Sequence, residues 1–143
     1  MLPNDSRVVS NFITQAIRGE SLTIYGDGSQ TRSFCFVSDL VEGIIDLMHS
    51  NYFLSVILGN NQEFTILELA GLIKNDFNPN LKFIFKKLPD DDPKRRKPDL
   101  ELSKKTINWE PKINISEGIA KTIEYFKQEL NIKKYSNQDY KFP

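Results

Sequence analysis

The residues best suited to chemistry in this chain are arginines placed next to turn-forming residues. Arg32 follows Gly26-Asp27-Gly28-Ser29, and Arg95 and Arg96 lie in LPDDDPKRRKP, Leu88 to Pro98. A glycine loop beside a cation suits phosphate, because backbone N–H groups can approach the anion and a guanidinium offers it a planar fork of donors. GDGSQTR is not G-x-x-x-x-G-K-[ST], however, and it lacks the G-x-G-x-x-G of a dinucleotide site. On local pattern the simpler reading is a hairpin turn followed by an exposed arginine. The second run reads by itself as a solvated loop. Asp90, Asp91 and Asp92 beside it pair with the bases rather than bind a metal, since no ligand geometry follows from three adjacent carboxylates. Cys35 and His49 are the chain's single cysteine and histidine. That excludes an internal disulfide and a cysteine zinc site. Any histidine-assisted nucleophile would have to rest on His49, which reads better as a favourable charge in the last turn of a helix.

Composition sets the frame for these residues. The chain has 143 residues, 39% of them hydrophobic and 27% charged, which fits one globular domain with a modest core. Nineteen Lys and Arg balance 19 Asp and Glu, so nothing argues for nucleic acid or an anionic membrane as partner. There is no apolar signal region at the start and no 18-residue apolar run, so a secreted or membrane-spanning protein is not expected and a cytoplasmic one is.

Helical spacing of Val8, Val9, Phe12, Ile13, Ala16 and Ile17 predicts a first helix that Gly19 ends. LTIY, Leu22 to Tyr25, reads as a strand, and SFCFV resumes an extended pattern after the turn. DLVEGIIDLMHS reads as a helix opened by Asp39 with Glu42 three residues on. FLSVILG reads as a buried strand. Thr65 and Glu68 form a capping box before a further helix, and KFIFK is another strand. LELSKKTI is a short helix, NWEPKINI is extended, and SEGIAKTIEYFKQEL is amphipathic with Ile119, Ile123, Phe126 and Leu130 on one face. Residues 1–130 form the domain, and 131–143 are a polar tail expected to fray.

The run RVVSNFITQAIRGESLTIYGDGSQTRSFCFVSDLVEGIIDLM resembles the C-terminal half of extended short-chain dehydrogenase/reductases that act on nucleotide sugars. GNNQEFTILELA, LPDDDPKRRKPDLELSKKTINWEPK and SEGIAKTIEYFKQEL narrow the resemblance to the UDP-glucuronate decarboxylases. It covers nearly all of the chain and is weakest over residues 51–56 and the last dozen. The fold it implies is α/β: the C-terminal substrate-binding part of such an enzyme, without the N-terminal Rossmann domain. Family members have a glycine-rich NAD loop and a Tyr-x-x-x-Lys pair, and neither is in this sequence. Tyr52 is followed four residues later by Val56, Tyr125 by Glu129 and Tyr135 by Asp139. A Gly-Pro-Arg-Met-like segment precedes this region in the family, so the chain is expected to begin where the catalytic half ends. Ser6 stands where family members usually have Gly.

The resemblance implies UDP-sugars, UDP-glucuronate and UDP-xylose, as ligands. It places the UDP diphosphate on Arg32 and Arg96, with Arg95 as second choice to Arg96. It places the uridine on Leu22, Thr23, Tyr25 and Gln30, with backbone groups near Thr23 reading the base edge and Tyr25 packing on the ring. Val8, Val9 and Phe12 are candidates for the pocket's far wall. In the family, NAD oxidises C4 of the glucuronate, the β-keto acid loses CO2, and NADH reduces the product. This chain would supply no catalytic residue, bind no metal and hold no NAD by itself, and a separately encoded Rossmann half is the expected partner. The helix at Val8 to Ile17 and the run VIL are the surfaces expected to meet that half. The alternatives are half of a UDP-sugar epimerase or dTDP-sugar dehydratase, or a non-catalytic remnant acting as a binding module.

Overall fold

The computed structural model describes residues 7–88 and 95–136, the side chains of 131–136 excepted. Nine elements follow in order: α1 (Val8–Ile17), β1 (Leu22–Tyr25), β2 (Thr31–Ser33), α2 (Val37–His49), β3 (Glu63–Thr65), α3 (Ile66–Phe77), β4 (Phe83–Lys86), α4 (Glu101–Ile107) and α5 (Ile115–Ser136). The strands form two separate two-stranded sheets. β1 pairs with β4 in parallel, Leu22 opposite Phe83 and Tyr25 opposite Lys86. β2 pairs with β3 antiparallel, Thr31 opposite Thr65 and Ser33 opposite Glu63. A parallel pair needs a long crossover, and β2, α2, β3 and α3 all lie within this one.

The core lies where α1, α3 and α5 meet one face of β1. Phe12, Ile13, Leu22, Ile24, Leu69, Ile73, Ile123 and Phe126 close it. Alternation along β1 buries Leu22 and Ile24 and turns Thr23 and Tyr25 the other way. The outer edge of β1 is capped by side chains. Thr23 donates its backbone N–H to Gln15 Oε1 at 3.0 Å, and Gln30 Nε2 donates to the Tyr25 carbonyl at 2.8 Å.

α3 starts as its capping box requires: the Thr65 hydroxyl accepts from the Glu68 amide while Glu68 accepts from the Thr65 amide. α2 begins instead at Val37, after Phe36 as cap, and Asp39 is inside it. The Asp39 side chain has a different task. It is buried, and its Oδ2 accepts from the amides of Lys112 and Ile113 at 3.0 and 2.9 Å. The Asp39 carbonyl accepts from Trp109 Nε1 at 2.9 Å. One turn later, a Cβ on Gly43 would lie 2.8 Å from the Trp109 ring, so only glycine lets the indole sit this close. Lys112 also pairs with Glu42. The stretch from Asn108 to Asn114 is thus irregular but anchored.

Two expectations fail here. FLSVILG is not a strand: Phe53, Leu54 and Ile57 are 91%, 71% and 56% exposed, and no described strand lies beside the segment to pair with it. Of the two surfaces expected to be exposed, α1 turns Phe12 and Ile13 into the core, whereas VIL exposes Ile57. A larger apolar stripe lies on α2, where Val37, Val41, Ile44, Ile45 and Met48 recur at helical spacing and are all exposed. α5 continues to Ser136, so the expected tail begins as helix. No helix among the described residues is long and apolar enough to cross a membrane.

Asp39→Ala leaves two backbone amides without their acceptor and is expected to cost about 3 kcal/mol by urea unfolding, against about 1 kcal/mol for Asp39→Asn, which keeps an oxygen in place. Alanine normally gains up to about 1 kcal/mol over glycine inside a helix. Gly43→Ala is expected to destabilise the protein all the same, because its methyl group meets the Trp109 ring.

Candidate functional site

The GDGS turn is not a hairpin. β1 and β2 belong to different sheets, and the turn carries the chain from one to the other. Gly26 and Gly28 both have positive φ, 70° and 78°, which side-chain-bearing residues rarely adopt. Gly26 donates its N–H to the Lys86 carbonyl, and the amide and hydroxyl of Ser29 donate to Asp27 Oδ1. Those Ser29 bonds hold the Asp27 carboxyl below its ordinary range. The carbonyls of Gly28 and Gln30 accept from the Leu67 and Ile66 amides, so the turn completes the N-terminal cap of α3.

Beyond the turn the basic residues come together. Thr31 and Arg95 form an isolated parallel bridge, which lays the segment from Arg95 to Pro98 along the free side of β2. Glu63, across β2, ties this arrangement. Its Oε1 accepts from Thr31 Oγ1 at 2.9 Å and from Arg95 Nε at 2.7 Å, and its Oε2 accepts from Arg95 Nη2 at 2.5 Å. Lys97 Nζ stands 3.8 Å from the same carboxylate. The Arg95 fork is the main reason that the Glu63 carboxyl is held down to about 2. Ser33 Oγ donates to the Arg96 carbonyl at 3.3 Å. An open groove of about 640 Å³ runs beside this segment, lined by Ser33, Cys35, Asn60, Arg95 and Arg96 among others. Burial pushes the Cys35 thiol up, with the charge of Asp39 adding to it. On the other side of the same stretch lies a smaller, more apolar cavity of about 300 Å³ between α1, Phe34–Phe36 and the start of α5.

The expected site residues divide. Arg32 is half-buried in the centre of β2, with Nη1 donating to the Thr31 carbonyl at 2.8 Å. Arg96 is exposed on the bridged segment. Arg95 grips Glu63 through Nε and Nη2, and its side chain is 67% exposed. Tyr25 and Thr23 share the face of β1 turned away from the core, and Tyr25 is 43% exposed. The Thr23 amide is engaged by Gln15, so it is not available to a base edge. Leu22 and Phe12 are completely enclosed by the core and present no surface to a ligand. Gln30 is also buried, its amide holding β1. Val8 and Val9 do line the smaller cavity. Asp90 to Asp92 lie outside the described residues, and no cluster of metal-ligating side chains occurs among those described. Sequence reasoning missed Gln15 and Glu63. A carboxylate separated by 32 residues from its arginine leaves no local signal, and Gln15 is one of several polar positions on α1 with nothing in the sequence to single it out.

The model of the NAD dependent epimerase/dehydratase family matches residues 2–53. Over 127 residues the chain is 53% identical to UDP-glucuronic acid decarboxylase 1 of Danio rerio, covering 89% of this chain and 30% of that protein. UDP-glucuronic acid decarboxylase 4 of Arabidopsis thaliana is 48% identical over 130 residues, 91% of this chain and 29% of its own length. The chain therefore spans less than a third of the length of these relatives. Among solved structures, UDP-glucose 4-epimerase of Thermotoga maritima with UDP-glucose superposes with a TM-score of 0.85 at 28% identity, over 90% of this chain and 42% of the other. Sequence and fold agree: the chain is similar to proteins of the NAD dependent epimerase/dehydratase family and, over about nine-tenths of its length, to one part of UDP-glucuronic acid decarboxylases.

Proposed function

We propose that this chain is the UDP-sugar-binding part of a UDP-glucuronate decarboxylase, the enzyme type that converts UDP-glucuronate to UDP-xylose and CO2. The observation that carries the reading is the Thr31–Arg95 bridge, which sets the strand bearing Arg32 beside the segment bearing Arg96. Arg95 and Thr31 both reach the Glu63 carboxylate, so strand alternation turns their neighbours Arg96 and Arg32 to the opposite face. Two guanidinium groups on one face suit a diphosphate, which each can grip with two parallel donors. Tyr25 and Thr23 offer the uracil an exposed ring and a methyl-bearing side chain. Val8 and Val9 supply apolar wall.

These residues bind and orient the nucleotide, far from the carbon that reacts, and this remote binding energy positions the sugar for the chemistry. The glycine turn lacks the dinucleotide pattern, which supports placing NAD with the part of the family enzyme that this chain does not match. That part is also the partner we assign to α2. The stripe from Val37 to Met48, with Phe53 and Leu54 after it, is a contiguous apolar surface of the kind that marks an interface. A 28% identical epimerase with the same fold supports a second reading, in which the chain serves a UDP-sugar epimerase. The higher identity to decarboxylases ranks it second.

UDP at about 100 times its dissociation constant is expected to add about 2.7 kcal/mol of stability and raise the thermal midpoint by several degrees. Arg32→Ala should abolish the shift, and a cooperative melt indifferent to UDP would overturn the reading. Mixed with the unmatched part of a decarboxylase, NAD and UDP-glucuronate, the chain is expected to yield UDP-xylose. Ile44→Asp on the α2 face should remove that product while leaving the UDP-dependent melt of the chain alone unchanged. No product from the wild-type mixture at high concentrations of both parts counts against the split-enzyme assignment.

A further inference from the structure

We propose that Glu63 is a positioning residue for diphosphate recognition, setting the spacing of Arg32 and Arg96 by holding the residue next to each of them. The inference rests on the UDP-binding reading and deepens it. Glu63 stands on β3 opposite Ser33, with Thr31 diagonally across the same face. Its Oε1 receives Thr31 Oγ1 and Arg95 Nε together, at 2.9 and 2.7 Å, and its Oε2 receives Arg95 Nη2 at 2.5 Å. One carboxylate thus joins the residue before Arg32 to the residue before Arg96.

An isolated surface ion pair would carry no such role, because holding two long side chains together offsets most of its attraction. This one differs in three ways. The arginine is gripped by both oxygens, a geometry that fixes direction as well as distance. The Glu63 side chain is only 17% exposed, against 67% for Arg95, so the anchor is held while the arm comes to it. The segment is also stitched a second time, by Ser33 Oγ to the Arg96 carbonyl. Arg95, Arg96 and Lys97 carry the same charge as Arg32, and the Glu63 carboxylate offsets that repulsion where their segment runs beside β2. With its carboxyl held to about 2, Glu63 stays ionised at every working pH.

The test is calorimetric titration of the chain with UDP and, separately, with uridine. Glu63→Ala is expected to weaken UDP on the order of tenfold and leave uridine unchanged, because only the diphosphate depends on the arginine spacing. Glu63→Gln, which keeps the acceptor for Thr31 but loses the charge, should fall between. Arg96→Ala should weaken UDP similarly, and the double variant no further, as for two residues acting through one contact. A merely structural role would weaken uridine as much as UDP, and that result overturns the proposal. So does unchanged UDP binding in Glu63→Ala, or full additivity with Arg96→Ala. If the wild-type chain binds no UDP at millimolar concentration, the nucleotide reading falls and the proposal with it.

Discussion

The buried carboxylate of Asp39 is the constraint on which the arrangement of this chain depends. A charge removed from water is tolerated only where donors replace the lost hydration, and here two successive amides do so. Those amides belong to a segment with no regular structure of its own. The same residue's carbonyl takes the Trp109 indole, and Gly43 opens the space beneath the ring. α2 is therefore fastened along a single line, to the stretch linking α4 and α5. Of its residues only Asp39 and Gly43 are buried. The apolar stripe on the rest of the helix follows from this one-sided attachment, since the core formed by α1, α3 and α5 is closed without it.

The basic half of the site obeys a related logic at the surface. Arg95 and Lys97 lie beside β2 with the Glu63 carboxylate of the third strand as their counter-charge. The glycine turn, which looked like the chemical centre, has a mechanical task instead. It moves the chain between sheets and closes the first turn of α3 with its carbonyls. In the proposed site, phosphate would meet side chains mounted on extended backbone rather than a loop of amides at a helix N-terminus.

Much of this was legible in the sequence where the determinants are local. The 3.6-residue period of α1 and α5, the Thr65–Glu68 box and the β-branched and aromatic runs of β1 and β4 each specify their element within a few residues. The family resemblance was carried by DDPKRRKPD and WEP, and the relatives agree with it. What local pattern could not show was long-range pairing. GDGS looks like a hairpin turn because the partner of β1 lies some sixty residues on, at β4. Asp39 looks like a cap because the two amides it serves lie at Lys112 and Ile113. FLSVILG looks like a buried strand because its composition says only that it prefers to be covered, and not by what. Leu22 and Tyr25 were assigned together to one platform, although alternation puts them on opposite faces.

The capping of β1 by two glutamines makes its sheet directional. On one side the strand's backbone is occupied at Thr23 by Gln15 and at Tyr25 by Gln30. Among the described residues no strand pairs with the far side of β4, and there Lys82 and Lys86 flank an exposed Ile84 and Phe85. Two copies meeting edge to edge would bring lysine against lysine, the device by which natural sheets discourage self-templating. The same short sheet thus carries side-chain hydrogen bonds on one edge and lysine charge on the other, two features that disfavour pairing with a further strand.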